Sequence, residues 1–326
     1  TLNLCVSLVI SNIKFMSKSA ILSSSIAKKW WMALTGLFLC LFLVGHLVGN
    51  LQLLIPGVEG KRAFNEYALF MATNPAIKLL SYLTYVSILF HAIDGIMLTI
   101  QNKKARPVKY AYERPEKNSK WYSRSMAILG TLILVFIATH MQNFWWKAKY
   151  SSEKFPLHTE ILFNPTMAEG NKVVDEEVLA YYTTQGSYVP VEQVEVKNKV
   201  ELYQSTKAIK EQIAQIDPSY KSSGDNPKIG LGYKDLHSVV YAFFGHDKTA
   251  EAGVGANDMA LAVVIFYVFS MLVLAYHLMH GFASAFQSLG LNGKKFTATI
   301  KVIGNIFAIV VPALFALIPV YIFLTK

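Results

Sequence analysis

The chain has few charged residues and very little cysteine for its 326 residues. Charged side chains make up 16% of the sequence, whereas about a quarter of an ordinary soluble domain is charged. Cys5 and Cys40 are too few and too far apart for a disulfide framework or an iron–sulfur site. The composition therefore excludes a disulfide-stabilised domain and argues against an ordinary soluble protein.

Long apolar runs take the place of the missing charge, and hydrophobic residues account for 53% of the chain. A helix that crosses a bilayer needs about 20 consecutive, mostly apolar residues. Five runs meet this length: 31–54, 76–100, 125–146, 258–286 and 298–323. We therefore expect an all-α membrane protein with five transmembrane helices.

The runs divide the chain into four expected segments. They are an N-terminal cytoplasmic segment (1–29), helices 1–3 (30–146), an extracytoplasmic loop or cap (147–257) and helices 4 and 5 (258–326). Within the cap, the pattern predicts a strand at 188–196, a helix at 198–216 and an amphipathic interfacial helix at 233–244. His158, His237 and His246 lack ligand-like spacing, so we expect them on the surface.

The net charge of +10 indicates membrane orientation rather than nucleic-acid binding, because the basic residues crowd beside predicted helix ends. Lys and Arg are concentrated before the first run, between the second and third, and between the fourth and fifth. The positive-inside rule then places the N-terminus in the cytoplasm and the C-terminus outside. Residues 1–15 make a poor signal peptide. We expect them to be an upstream extension without function or, alternatively, a short surface helix.

Four histidines lie deep inside four different apolar runs: His46, His91, His140 and His277. A buried imidazole in a membrane is costly without a partner. With a rise of about 1.5 Å per residue, His46 and His140 fall in the outer half of the bilayer, while His91 and His277 lie about 13 Å from the cytoplasmic helix ends. The depths predict two pairs, His46 with His140 and His91 with His277.

Paired imidazoles on facing helices are the arrangement that holds a b-type haem through both axial positions. We therefore expect two haems b, one outer and one inner. Any one of these histidines alone could instead form a hydrogen bond between helices. The match of four histidines on four helices at two depths favours haem ligation.

Small and polar residues near these histidines are candidates for cofactor contact. Gly95 and Gly281 each lie one helical turn after a histidine, where a missing side chain leaves room for a flat macrocycle. Gly49 and His280 are further candidates for haem contact, and His280 is the less favoured alternative to His277 as a ligand. Candidate quinone-binding residues near the outer face are Glu66, Asn50 and Asn143. For Glu66, an interfacial acid that balances Arg62 is an equally good interpretation.

The histidine-bearing strings resemble the five-helix, dihaem cytochrome b subunit of succinate:quinone oxidoreductases and quinol:fumarate reductases. They are Trp30-Trp31-Met-Ala-Leu-Thr35-Gly36, Gly45-His46-Leu, Phe90-His91-Ala-Ile-Asp94-Gly95, Thr139-His140 and Tyr276-His277-Leu-Met-His280-Gly281. The combination is more specific than any one string. The long connection at 147–257 departs from the short one that is usual in the family.

The resemblance implies a membrane anchor in the bacterial cytoplasmic (inner) membrane, in a complex of the respiratory chain and tricarboxylic acid cycle. Its partners would be a flavoprotein with FAD and an iron–sulfur subunit, while this chain would hold no dicarboxylate chemistry. Electrons would pass from the iron–sulfur subunit through the inner and outer haems to menaquinone. Succinate oxidation is preferred over fumarate reduction on the resemblance alone.

Two other interpretations stay open. One is the dihaem anchor of a hydrogenase, formate dehydrogenase or nitrate reductase, which uses histidines on a similar helical bundle. The other is a transporter or structural membrane protein whose histidines only bond between helices.

Overall fold

Five helices in the described part of the chain are long and apolar enough to cross a membrane. The computed structural model describes residues 24–105, 108, 114–150, 234–246, 257–291 and 293–326, and the backbone of strands between 154 and 234. The five helices are Ile26–Leu54, Pro75–Lys104, Met126–Tyr150, Ala260–Ser288 and Phe296–Thr325. They confirm the predicted spans, and their length and composition are those of a multi-pass membrane protein.

The helices follow in chain order, with two irregular turns. They are α1 (Ser25–Leu51), a 3₁₀ turn (Gln52–Leu54), α2 (Gly57–Thr73), α3 (Pro75–Lys104), α4 (Pro115–Asn118), α5 (Trp121–Arg124), α6 (Met126–His140), a π-helical turn (Met141–Trp146), α7 (Lys147–Tyr150), α8 (Leu236–Phe244), α9 (Ala260–Ser288) and α10 (Lys294–Thr325).

The long helices present large apolar side chains on their outer surfaces. Leu41, Leu79, Ile128, Ile265 and Val302 are each at least 60% exposed. A monomeric soluble protein rarely leaves so much apolar surface in contact with water. A lipid environment accounts for it, because hydrocarbon chains solvate leucine and isoleucine while the helix satisfies its own backbone hydrogen bonds.

Strands occupy part of the segment between α7 and α8, so the all-α expectation holds for the membrane helices but not for this connection. The strands are β1 (Lys154–Phe163), β2 (Thr166–Glu169), β3 (Lys172–Asp175), β4 (Val178–Ala180), β5 (Tyr188–Pro190), β6 (Lys199–Tyr203) and β7 (Lys228–Lys234). Among the described residues, β4-β1-β7-β6 pair in that order, β5 also pairs with β1, and β2 pairs with β3.

The helix predicted at 198–216 is wrong at its start, because Lys199–Tyr203 forms β6 and pairs antiparallel with β7. Val200 and Leu202 alternate with polar neighbours, and a period of two is typical of a strand. Residues 204–216 lie outside the described residues. The strand predicted at 188–196 is present at Tyr188–Pro190, and 191–196 are likewise outside them.

The helix predicted at 233–244 is present as α8, but it is not an interfacial helix with one wet face. Seven of its nine residues are buried, including His237 and Ser238. The expectation that His237 lies on the surface is therefore wrong. The residue is 5% exposed, and its ring stacks on that of Tyr241 with centroids 4.1 Å apart.

The chain divides into two compact units. Within the described residues, the first unit contains 24–47, 79–136 and 269–315, and the second contains 48–78, 137–268 and 316–326. His46, His91 and His277 belong to the first unit, and His140 belongs to the second.

A buried polar network ties α2 to the start of α8 within the second unit. Lys61 Nζ lies 2.9 Å from Asp235 Oδ2. The Asn65 side-chain amide donates to Asp235 Oδ1, as does the backbone N–H of Ser238, so Asp235 caps α8. Burial alone would raise the pKa of Asp235, but the Lys61 ammonium and the hydrogen bonds from Ser238 and Asn65 hold that pKa below its ordinary value.

Candidate functional site

His91 on α3 and His277 on α9 face each other in the first unit. Their ring centroids are 6.2 Å apart, and the ring planes are inclined by 68°. The sequence places them in different spans, so only the packing of α3 and α9 brings them together. The structure thus places side by side the two histidines that their predicted depth in the membrane assigns to the inner pair.

The ring separation matches the span of two axial ligands on one iron. A histidine nitrogen bonds a first-row metal at about 2 Å, so two imidazoles on opposite sides of one ion have ring centroids about 6 Å apart. No group of three or more His, Cys, Asp or Glu among the described residues is placed to hold a metal ion. A haem needs only two protein donors, because the porphyrin supplies the other four. The His91–His277 pair therefore fits a bis-histidine haem.

The ring of His91 is held against α1. Its Nδ1 lies 3.3 Å from Thr35 Oγ1, and the backbone of Met32 makes a further hydrogen bond with the ring. A Cβ atom at Gly36 would lie 3.2 Å from His91 Cε1, closer than an ordinary side-chain contact. Because Gly36 has no side chain, the ring can lie directly on the α1 backbone.

His277 and His280 have different surroundings, although they are three residues apart on α9. Ser123 Oγ lies 2.9 Å from His280 Nδ1. His277 instead lies beside His91, and its Nδ1 is buried without a hydrogen-bond partner among the described residues. The structure thus places His277, and not His280, beside His91, and gives His280 a separate polar partner.

Glycines near the histidines differ in the space around them. A Cβ at Gly281 would meet nothing within 4 Å, and one at Gly95 would approach only Met32 Cε at 3.8 Å. Both positions thus leave open space beside the helix, as a macrocycle contact requires. Gly49 is different, because its Cβ would collide with the ring of Tyr67. The close packing of α1 against α2 therefore explains why this position is occupied by glycine.

His46 lies between two aromatic rings in the first unit. It stacks on Phe42 with ring centroids 5.4 Å apart and planes 12° apart, and Phe315 lies 5.6 Å away. Apolar rings on two sides restrict the imidazole to few orientations. Its role as an outer haem ligand stays a prediction.

His140 lies at the end of α6 in the second unit, where the helix widens into a π-helical turn. Its Nδ1 lies 3.4 Å from the hydroxyl of Tyr267 on α9, and the Asn143 side chain also bonds that hydroxyl. Turns of this kind are frequent at functional sites. His140 and the quinone candidate Asn143 therefore share one polar partner among the rings of Phe144 and Phe243.

The quinone candidate Glu66 forms an ion pair on α2. Arg62 Nε donates to Glu66 Oε1 at 2.9 Å, and the Glu66 side chain is 43% exposed. Arg62 also lies 3.7 Å from Glu59. This is the interfacial acid–base arrangement that the sequence leaves open for Glu66. Asn50, the third candidate, lies at the end of α1.

Three hydroxyl groups next to histidines are not identified as such from the sequence. They belong to Thr35, Ser123 and Tyr267. A tyrosine hydroxyl within an apolar, membrane-length run needs a polar partner, so the sequence could have indicated that Tyr267 contacts a polar residue. Thr35 and Ser123 give no such indication, because threonine and serine in a helix commonly bond their own backbone.

No family model matches the chain, and comparisons with curated proteins and with solved structures give no match either. The geometry of the histidines and the resemblance of their strings are therefore what a functional proposal rests on.

Proposed function

We propose that this chain is the dihaem cytochrome b anchor of a succinate:quinone oxidoreductase in the bacterial cytoplasmic membrane. The observation that carries the proposal is the His91–His277 pair, with ring centroids 6.2 Å apart on two membrane-length helices. A hydrogen bond between the two neutral imidazoles would give a partner to only one of their two N–H groups. The spacing of the two rings instead suits two nitrogen donors bound to one iron.

The residues divide into an inner and an outer set. His91 and His277 would hold the inner haem, with open space beside Gly95 and Gly281 for the macrocycle. His46 and His140 would hold the outer haem. Each pair of imidazoles would hold one haem, and a haem held in this way would carry single electrons and would not bind oxygen. The chain's own part is to fix the ring positions, exclude water and keep the irons within an apolar layer.

The partners follow from the direction of electron flow. An iron–sulfur subunit on the cytoplasmic side would deliver electrons that a flavoprotein takes from succinate, and menaquinone would receive them near the outer haem. Asn143, which shares the Tyr267 hydroxyl with His140, has the better-supported position among the quinone candidates. Its amide can donate to a quinone carbonyl.

Purification of the complex through a tag on this chain tests the proposal. Covalently bound flavin and iron–sulfur protein should co-purify, and succinate should reduce the b haems of the preparation. Haem without a flavoprotein, reduced by hydrogen or formate instead, would favour the anchor of a hydrogenase or formate dehydrogenase. A preparation without haem would leave a transporter or structural membrane protein as the better account.

A further inference from the structure

The hydroxyl of Thr35 and the imidazole of His91 are in contact within the first unit. Thr35 is 7% exposed, and its Oγ1 lies 3.3 Å from His91 Nδ1. The two residues are on different helices, α1 and α3. A threonine in a helix has no need of such a partner, because its own backbone satisfies it.

The Thr35 hydroxyl has a single proton, and its neighbours determine where that proton points. Thr35 donates to the Trp31 carbonyl at 2.9 Å, with the Met32 carbonyl 3.2 Å away. The oxygen therefore presents a lone pair to His91 Nδ1. A contact between a lone pair and Nδ1 is favourable only if Nδ1 carries the ring proton. The geometry assigns His91 to the tautomer with Nδ1 protonated and a free lone pair on Nε2.

Gly36 keeps the imidazole close to α1. A methyl group there would lie 3.2 Å from His91 Cε1, the ring carbon between the two nitrogens, and 3.6 Å from Nδ1. The ring thus contacts α1 at two successive residues, Thr35 and Gly36. With Nδ1 facing Thr35, Nε2 is the nitrogen left for a metal.

His277 has no matching partner. Its Nδ1 is buried and accepts or donates no hydrogen bond among the described residues. The two rings of the inner pair are therefore inequivalent, and only His91 has its tautomer fixed by a hydroxyl. A ligand histidine that donates from its second nitrogen is oriented by that bond and becomes a stronger electron donor.

We propose that Thr35 is a positioning residue of the inner haem site: with the Met32 backbone it holds the His91 tautomer, aims Nε2 at the iron and strengthens the ring as an electron donor. The inference rests on the proposed dihaem function. A stronger donor favours ferric iron, so Thr35 lowers the midpoint potential of the inner haem relative to a site without the hydroxyl.

Redox titration of the purified complex, followed by visible and electron paramagnetic resonance spectra, tests this role. Thr35→Val keeps the shape of the side chain but removes the hydroxyl. The inner midpoint potential should rise, equivalent to a change of up to roughly tenfold in the ferric-to-ferrous ratio at fixed potential. The g-values of the inner haem should move as well. The outer haem should show neither change.

Three further variants separate positioning from general packing. Thr35→Ser keeps the hydroxyl and should restore both the potential and the g-values. Thr35→Ala should shift the potential in the same direction as Thr35→Val. Thr84→Val removes a buried threonine whose hydroxyl donates to the Leu80 carbonyl within α3, and it should leave both haems unchanged. Loss of the inner haem in the Val and Ala variants alone would also support the proposal.

An unshifted inner potential in Thr35→Val, or an equal shift in Thr35→Ser, would overturn the role of Thr35 while leaving the dihaem function intact. Wild-type protein without b-type haem would instead refute the proposed function. The two failures are therefore distinguishable in one set of preparations.

Discussion

The imidazoles of His91 and His277 meet with ring centroids 6.2 Å apart, although they are on α3 and α9. Neither ring is explained by the local needs of its own helix. A histidine that only filled an interface would not require a second histidine at the span of two axial ligands. This relationship is the observation on which the proposed inner haem site rests.

Replacement of the proposed ligands should have a selective effect. His91→Ala and His277→Ala should each remove the inner haem, about half of the bound haem, because two imidazoles would hold that haem and one alone would bind it weakly. His280→Ala is the matched control, since Ser123 satisfies that ring, and it should keep the inner haem with a shifted potential. Loss of the inner haem in His280→Ala and its retention in His277→Ala would reverse the assignment.

Enlargement of Gly281 should displace the inner haem without disturbing the protein. A Cβ there meets nothing within 4 Å, and valine suits a helix interior somewhat better than glycine does. Gly281→Val should therefore lower haem content, while its haem-free form should melt at or above the temperature of haem-free wild type, because bound haem itself stabilises the fold. Haem quantification and a fluorescence melt measure the two effects. Full haem content in the variant would place the macrocycle away from this glycine.

The outer pair gives a second selective prediction. His46→Ala and His140→Ala should remove the outer haem and leave the inner one, because each iron needs both of its imidazoles. Potentiometric titration identifies the haem that remains by its midpoint potential. If either variant lost only the inner haem, the pairing by depth would be wrong.

Sequence patterns predict the membrane helices well because any helix that crosses a bilayer needs about 20 consecutive, mostly apolar residues. All five predicted spans are present within a few residues of their expected ends. The same patterns do not predict α2, because its charged residues are typical of a loop. They also assign β6 to a helix, because its short run of alternating apolar residues is compatible with one face of a helix. Lys61, Phe64 and Asn65 lie on one buried face of α2. Two of the three are polar, so the sequence does not reveal that this face is buried.

Candidate site residues are predictable only where their chemistry is unusual for their surroundings. Histidine in a membrane run stands out, so His91 and His277 are found from the sequence. Thr35 is ordinary in a helix, and its contact with His91 depends on how α1 packs on α3. The Lys61–Asp235 ion pair joins residues far apart in the chain, and no local pattern predicts such a pairing.

The Lys61–Asp235 pair should contribute to stability in a pH-dependent way. Removing one partner of a buried ion pair costs about 3–5 kcal/mol, so Asp235→Ala should lower the melting temperature clearly. The native pKa of Asp235 is depressed below the unfolded value of about 3.9. The stabilisation is therefore present above about pH 4 and is lost as the pH falls through the native pKa.

Melting curves from pH 7 to pH 3 measure this dependence. Asp235→Asn keeps the shape of the side chain and cannot titrate, so its stability should fall less steeply below pH 4 than that of the wild type. Parallel curves for the two proteins would show that Asp235 is not responsible for the acid sensitivity.

A conservative change at Glu66 should test its part in quinone chemistry. Glu66→Gln removes a carboxylate that can exchange protons with a quinone, so quinone-dependent turnover should fall several-fold with unchanged haem content. Glu59→Gln is the matched control, because Glu59 also faces Arg62 but is 79% exposed in its side chain. Equal turnover in both variants and the wild type would assign Glu66 to the Arg62 ion pair alone.

The haem content of the purified chain tests the central claim most directly. A reduced-minus-oxidised optical spectrum, with haem extracted and quantified against protein, should show b-type bands and two haems per chain. His91→Ala and His46→Ala should each retain one. A spectrum without b-type bands, or a haem content that neither variant changes, would contradict the account.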